Sequence, residues 1–381
     1  PMKAKGQKKS RSFKHLLELC RTTNVMLQMK AARSIDISLV VRNWLFGWYI
    51  VEFEKGNAGR AEIYGKDLIN SLSAELKRIG IKGVSPTNIR KFREFYEAYS
   101  EHYLTYRMGE QSSKRLIYTR KIQQTVSVES FEKLAKNSGI VEKLANRLVT
   151  AFGLGWSHYI VLLTLDNAQE RRFYEIEAIN CCWSVRELER QIASSLYERL
   201  ALSRDKNEVR RLAEKGLVVE KVADIVKNPL ILEFLELERE KSYSESELES
   251  AIIDKLENFL LELGKGFLFS GRQKRFTFDN EHFYVDLVFY NRLLRCHVLV
   301  DLKRDKITHQ DLGQMQMYVN YFDRYVKSDD EAPTIGIILC HRKNDALVEL
   351  TLPKEANIYA AKYQLYLPKE VLRKKLLDWG R

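Results

Sequence analysis

Apolar positions recur along this chain with two different periods, and the change between them divides it. Up to about residue 263 they return every three to four residues, the spacing of one helix face. From Phe267 onward they alternate or run unbroken over short stretches, as strands do. Ile37–Ile50 is apolar all round and predicts a buried helix, with Trp44 and Trp48 one turn apart as core residues. Lys66–Ile79 is amphipathic through Leu68, Leu72, Leu76 and Ile79, and Gly80 ends it. Ser85-Pro86 opens the next helix, since serine caps and proline fits the first helical position. It runs to Tyr99 and buries Ile89, Phe92, Phe95 and Tyr96.

A further helix covers Val141–Val149 and is broken by Gly153 and Gly155. Trp156 and His158 follow, but no nucleophile lies nearby in sequence, so His158 reads as a hydrogen-bonded structural residue. Ser184 and Glu187 form a capping box ahead of a stripe of Val185, Leu188, Ile192, Leu196 and Leu200. Arg186, Arg190 and Arg199 on its flanks suit a DNA or domain interface. Ser203–Gly216 reads as an exposed connector, and Asn228-Pro229 as the start of a short helix carrying Phe234 and Leu235. The polar stretch Lys241–Ser246 marks a domain boundary. Ser244 with Glu247 then opens a second capped helix, to Leu263, with Ile253, Leu256 and Leu260 on its apolar face.

Strands are predicted at Phe267–Phe278, at Phe283–Phe289, at Cys296–Leu302, at Thr334–Cys340 and at Ile358–Leu365. In the second, Phe283, Val285, Leu287 and Phe289 share one face and Asp286 looks out from the other. In the third, Cys296, Val298, Val300 and Leu302 are the apolar face, opposed by His297, Leu299, Asp301 and Lys303. A carboxylate on a mostly buried strand needs a partner, a metal or a raised pKa. A turn centred on Leu293/Leu294 sets Asp286 and Asp301 opposite each other, where two carboxylates suit Mg²⁺. A turn centred on Asn291-Arg292 would offset them by about 13 Å. The metal reading prefers the first register, with Lys303 placed to stabilise charge on a phosphate or to orient water. Gln314 and Tyr318, four apart, share one helix face.

Composition changes the picture in one respect. The 381 residues carry a formal net charge of +12, which suits a polyanionic partner. The five cysteines include no CxxC pair, so zinc is not expected and a reduced, cytoplasmic setting is. No apolar run approaches the length that spans a bilayer. Residues 1–35 begin as a basic arm, with Lys3, Lys5, Lys8, Lys9, Arg11 and Lys14 before the first acid, Glu18. Such an arm could track a phosphate backbone or be a solvated tail. Helix, short turn and capped helix with Arg90, Lys91 and Arg93 on the open face is how helix-turn-helix or winged-helix readers are built. Tyr103–Gln124 interleaves basic and aromatic residues, as a nucleic-acid surface or a solvated linker does.

The set Asp286, Asp301-Leu302-Lys303 and Gln314-Met-Gln-Met-Tyr318 resembles the PD-(D/E)XK nuclease motif with the QxxxY helix of its RecB-like members. The wider run through Gly264–Gln273, Phe283–Tyr290 and Leu294–Lys303 resembles the YhcG-like family of these nucleases. Val285 stands where the motif name has proline, and Asp301 where that family usually has glutamate. The resemblance implies an α/β (α+β) restriction-endonuclease-like domain over 244–381, a mixed sheet flanked by helices in α-β-β-β-α-β order. It also implies a mainly α-helical, DNA-binding domain over 36–240. By it, Asp286 and Asp301 hold Mg²⁺ (or Mn²⁺), Glu249 or its rival Glu257 adds an acid, and Gln314 and Tyr318 orient Lys303 or the phosphate. Gln273 could reach the edge of the site. The expected function is Mg²⁺-dependent DNA cleavage in defence, mobile-element biology or repair. A homodimer or higher homo-oligomer is expected, because cutting both strands wants two sites. A non-catalytic DNA-binding scaffold and an RNA nuclease stay open as alternatives.

Overall fold

The computed structural model describes residues 13–30, 35–56, 61–99, 138–201, 204–237, 243–278, 280–353 and 356–366. The start of the basic arm and the segment Tyr103–Gln124 lie outside them. The chain forms two compact units: Pro1–Arg171 with Cys182–Leu188, and Arg172–Cys181 with Glu189–Arg381. The expected boundary at Lys241–Ser246 therefore falls inside the second unit.

The first unit is helical. Its elements are α1 (Phe13–Lys30), α2 (Ile35–Gly56), α3 (Ala61–Arg78), α4 (Pro86–Ala98), α5 (Ser138–Ala151) and α6 (Trp156–Leu162). Trp44 and Trp48 of α2 are buried, and the Trp44 indole donates to Tyr99 O at 2.9 Å. Packing of α2 against α4 is close at Gly47, where any Cβ would come within 2.0 Å of Phe92 O. Only glycine fits there. Ser85 caps α4 by accepting from Asn88 N–H at 3.2 Å, and Pro86 takes the first turn. His158 Nε2 meets Trp183 O at 3.0 Å, as a structural histidine does.

The second unit takes in most of α7 (Ala168–Asn180), the end of α8 (Val185–Ala193), then α9 (Leu196–Ala201) and α10 (Lys206–Lys215). The stripe expected as one helix is split at Ser194-Ser195, where Ser195 has φ 53° and Arg199 holds the Ser194 carbonyl at 3.0 Å. The expected connector is a helix instead: Asp205 Oδ1 caps α10 by accepting from Asn207 and Glu208 N–H. After Asn228-Pro229 the chain first makes a two-residue strand, β1 (Leu230–Ile231), taken up by a parallel neighbour. The short helix that carries Phe234 and Leu235 follows it as one 3-10 turn, Glu233–Leu235. Helix Ser244–Leu263 is also divided, into α11 (Glu245–Asp254) and α12 (Leu256–Leu263), at Lys255. Its deepest apolar residues are Leu248, Ile252, Phe259 and Leu263, with Ile253, Leu256 and Leu260 only partly buried.

Then come β2 (Phe267–Phe278), β3 (Glu281–Asn291), β4 (Cys296–Lys306), α13 (His309–Tyr325), β5 (Ile335–Arg342), α14 (Asp345–Thr351) and β6 (Ile358–Gln364). They form one mixed sheet in the order β1-β6-β5-β4-β3-β2, antiparallel from β2 to β4 and parallel from β4 to β1. One face packs on α11 and α12 through Leu287, Phe289, Val298, Val300 and Leu302. The other packs on α13 through Val288, Leu299, Ile338 and Cys340. Val285 and Phe283 lie on this second face, not with Leu287 and Phe289 as period two predicts. The strand changes face at Asp286.

A buried ion cluster ties the early part of the second unit to α12. Glu262, with no exposure, receives Arg199 Nη1 at 2.7 Å, Arg190 Nη2 at 3.2 Å and Ile231 N–H at 3.0 Å. The Lys227 ammonium meets its carbonyl oxygen. Arg190 and Arg199 are therefore structural here, not open to a nucleic acid. Burial alone would raise the Glu262 pKa, but Arg199, Lys227 and Arg190 outweigh it and hold it at about 2. Burial pulls Lys227 down to about 8. Removing one member of such a cluster strands the others, at about 3–5 kcal/mol. Glu262→Gln should lower the stability of the second unit by about 3 kcal/mol at neutral pH, read from urea unfolding. A carboxyl depressed in the fold stabilises above its unfolded pKa and loses that stabilisation toward its folded one. The gap between wild type and variant should therefore narrow as the pH is lowered from about 4.5 toward about 2.

Candidate active site

The turn between β3 and β4 is centred on Leu293/Leu294. Asn291 pairs with Cys296, Phe289 with Val298 and Leu287 with Val300. Continuing that register sets Asp286 opposite Asp301. Beyond Leu287 and Val300 the two strands part: β3 goes on pairing with β2, and β4 with β5. The acids stand at the fork. Asp286 Oδ2 accepts the Leu302 N–H at 2.8 Å, so a side chain closes the ladder where a backbone carbonyl would otherwise serve.

Asp301 is 3% exposed and faces Asp286 across the fork, close enough to feel its charge. Burial first, and the Asp286 charge second, push the Asp301 carboxyl well above the usual carboxylate range; Lys303 opposes them. Lys303 Nζ sits 2.8 Å from Asp301 Oδ2, with Glu245 at 3.7 Å and Asp311 at 3.8 Å. Burial works against the Lys303 ammonium, but Asp301 and then those two acids outweigh it and hold its pKa above the lysine norm. Asp301 and Asp286, with one ammonium held against Asp301, leave negative charge in a largely buried place. A divalent cation with oxygen ligands and retained waters fits that donor set.

Glu249 is placed by α11 beside the pair and is buried. The capping box at Ser244 fixes the start of that helix: Ser244 Oγ accepts from Glu247 N–H at 3.2 Å, and Glu247 accepts from Ser244 N–H at 2.7 Å. Glu249 does not close on Asp286 directly, because the Gln273 amide donates to both, at 3.1 Å on the Asp286 side. Burial raises the Glu249 pKa, and Gln273 opposes it. Among the described residues no three Asp, Glu, His or Cys side chains gather to hold an ion without help from water or substrate. Gln273 itself has φ 45°, a left-handed backbone costing a non-glycine residue roughly 1–2 kcal/mol. The pairs Arg272↔Leu287 and Lys274↔Val285 put it across from Asp286, where the ribbon changes face.

Gln314 and Tyr318 share one face of α13 as their spacing predicts, and the amide donates to the phenol oxygen. Tyr318 is buried, and feels the charges of Asp301, Asp286 and Lys303. Lys303 is held by Asp301, with Glu245 and Asp311 at longer range, rather than by this pair. Asp311 was legible as half of a Thr308-x-x-Asp311 capping box, in which Asp311 accepts from Thr308 N–H at 2.7 Å. Nothing in the sequence marked Glu245 or Arg272. Arg90, Lys91 and Arg93 belong to the first unit. Arg90 is exposed, Lys91 lies 2.6 Å from Glu94, and Arg93 lies 3.2 Å from Glu97 and 3.4 Å from Glu54.

A strand-fork Asp, an Asp-x-Lys on the next strand and a Gln-x-x-x-Tyr helix over the same face define a nuclease domain of the PD-(D/E)XK class. Residues 223–377 match the family described as the YhcG PDDEXK nuclease domain, and 23–123 with 121–199 match the DUF1016 N-terminal domain. The chain belongs to this YhcG family. It is 38% identical over 376 residues to the Escherichia coli (strain K12) protein named "Putative nuclease YhcG", covering 96% of this chain and 90% of that one. A crystal structure of a repair endonuclease from Pyrococcus abyssi is similar over 34% of this chain and 50% of that one, at 19% identity. Its TM-score of 0.24 is too low for any inference.

Binding of a ligand to the folded state alone adds about 2.7 kcal/mol at a hundred times its Kd. Mg²⁺ or Mn²⁺ at such excess should stabilise the wild-type chain by about that amount. Asp286→Asn and Asp301→Asn should each lose the gain, as followed by thermal melting with and without the metal.

Proposed function

We propose that this chain hydrolyses phosphodiester bonds in DNA with the help of Mg²⁺, for which Mn²⁺ substitutes. The observation that carries the reading is the pair Asp286–Asp301, set opposite each other where β3 and β4 part, Asp301 buried and Asp286 half-buried, with Lys303 against Asp301. Asp286 and Asp301 would hold the ion, and Glu249 would add its negative charge from behind the Gln273 amide. When bound, the ion supplies Lewis-acid polarisation of the phosphate and of the attacking water. The Lys303 ammonium, fixed by Asp301, stands ready for the negative charge that builds on the phosphate oxygens. Tyr318, clamped by Gln314, limits the space beside the acids and orients what enters.

The helical unit is the proposed DNA-binding part. Arg90 faces solvent, and the ion pairs of Lys91 and Arg93 are of the surface kind worth about 0–1 kcal/mol, which a phosphate can replace. A net charge of +12 favours the same partner. A homodimer would present two sites to the two strands of a duplex. Defence against foreign DNA, mobile-element biology and repair are the settings in which such a cleavage would serve.

Two experiments test this. Supercoiled plasmid should be cut with Mg²⁺ and not with EDTA, and Asp301→Ala or Lys303→Ala should each slow cutting by on the order of a hundredfold. Cutting that survives EDTA, or faster cutting of RNA presented alongside, would overturn the reading. Replacing Arg90, Lys91 and Arg93 together by alanine should weaken DNA binding. It should also flatten the dependence of log K on log salt by about 0.9 for each phosphate no longer neutralised. Unchanged affinity and slope would remove α4 from the interface.

A further inference from the structure

The acid that would serve a second ion at this site is Glu249, and it is already occupied. Gln273 Nε2 donates to Glu249 Oε2 and to Asp286 Oδ1. The amide nitrogen faces them, because a carbonyl oxygen turned toward two carboxylates would find no proton to share. Asp286 Oδ2 accepts the Leu302 N–H at 2.8 Å, and Glu249 Oε1 is buried without a hydrogen bond but has the Arg272 guanidinium as its counter-charge at 3.3 Å. Sites with two ions hold them about 3.5–4 Å apart and need carboxylates on both sides. Here one side of Asp286 looks to Asp301 and the other looks to an NH₂ group.

The Gln273 backbone supports a built-in role. A left-handed residue other than glycine persists where its surroundings over-determine it, and such residues cluster at functional sites. Gln273 lies across from the position at which β3 changes face, so the same distortion that turns Asp286 toward Asp301 brings the amide between Asp286 and Glu249.

We propose that Gln273 restricts this site to a single divalent ion: its amide stands where a second ion would bridge Glu249 and Asp286, and Glu249 with Arg272 positions that amide instead of ligating. The proposal rests on the divalent-ion reading of the Asp286–Asp301 pair.

The test counts ions on the full chain. Mn²⁺ binding is measured by titration calorimetry, and the bound ions are followed by electron paramagnetic resonance. The wild-type chain should take one ion per chain, with the spectrum of isolated Mn²⁺. Gln273→Gly keeps the left-handed backbone and removes the amide. It should take two ions, with the exchange-coupled spectrum of neighbours about 3.5–4 Å apart. Adding Glu249→Gln to that variant should return the count to one. Glu249→Gln alone, which does not touch the backbone at Gln273, should keep one ion at saturating Mn²⁺. Two coupled ions in the wild type, one ion in a folded Gln273→Gly, or none in Glu249→Gln would overturn the proposal and leave the nuclease reading standing. No ion in the wild type would overturn both.

Discussion

Two carboxylates set facing each other, one buried and one half-buried, repel, and the second unit is arranged so that they cannot move apart. Asp286 is tied through Leu302 N–H to the strand that carries Asp301, and through Gln273 to α11. Asp301 is held by Lys303, and Lys303 in turn has acids from the starts of two helices around it, Glu245 and Asp311. Both helices begin with reciprocal capping boxes, so their first turns are fixed, and with them the acids. The strain of the pair is thus borne by two strands and two helix starts. A site that stores like-charge repulsion in this way has a ready use for a divalent cation.

The sheet and its helices were legible because their periods are strong. β2 matches the expected strand end for end, and β3–β6 and α13 fall where the alternation and spacing of apolar residues put them. The register was legible too, since only one turn centre sets Asp286 opposite Asp301. What period two could not show is the change of face at Asp286, across from Gln273, a residue with no compositional mark for φ above zero. Hence Val285 lies on the opposite side of the sheet from Leu287. Gln314 and Tyr318 were placed correctly by spacing, yet the groups around Lys303 come from helix starts remote in sequence.

The connector that proved to be α10 shows a different limit. Its residues are mostly charged, which reads as solvated chain. But Asp205 followed by Glu208 is a cap with an acid in the first turn, and Asp205 accepts two backbone N–H groups. Arg190 and Arg199 left two readings open, a DNA interface or a domain interface, and a helix flank cannot choose between them. Here the anion is Glu262, distant in sequence and wholly buried, so their role is internal.

The smallest strand has a consequence out of proportion to its two residues. β1 lies along β6, with Leu230 paired to Tyr363, Ile231 to Gln364, and Leu232 N–H donating to Gln364 O at 2.7 Å. It thereby covers the C-terminal end of the sheet's outer margin, at Tyr363 and Gln364, which would otherwise be open to pairing with another molecule. A fragment cut to begin at Ser244 keeps every acid and base of the fork. It would nonetheless expose that margin and leave Glu262 buried without its arginines, so such a truncation would clump before its chemistry could be assayed.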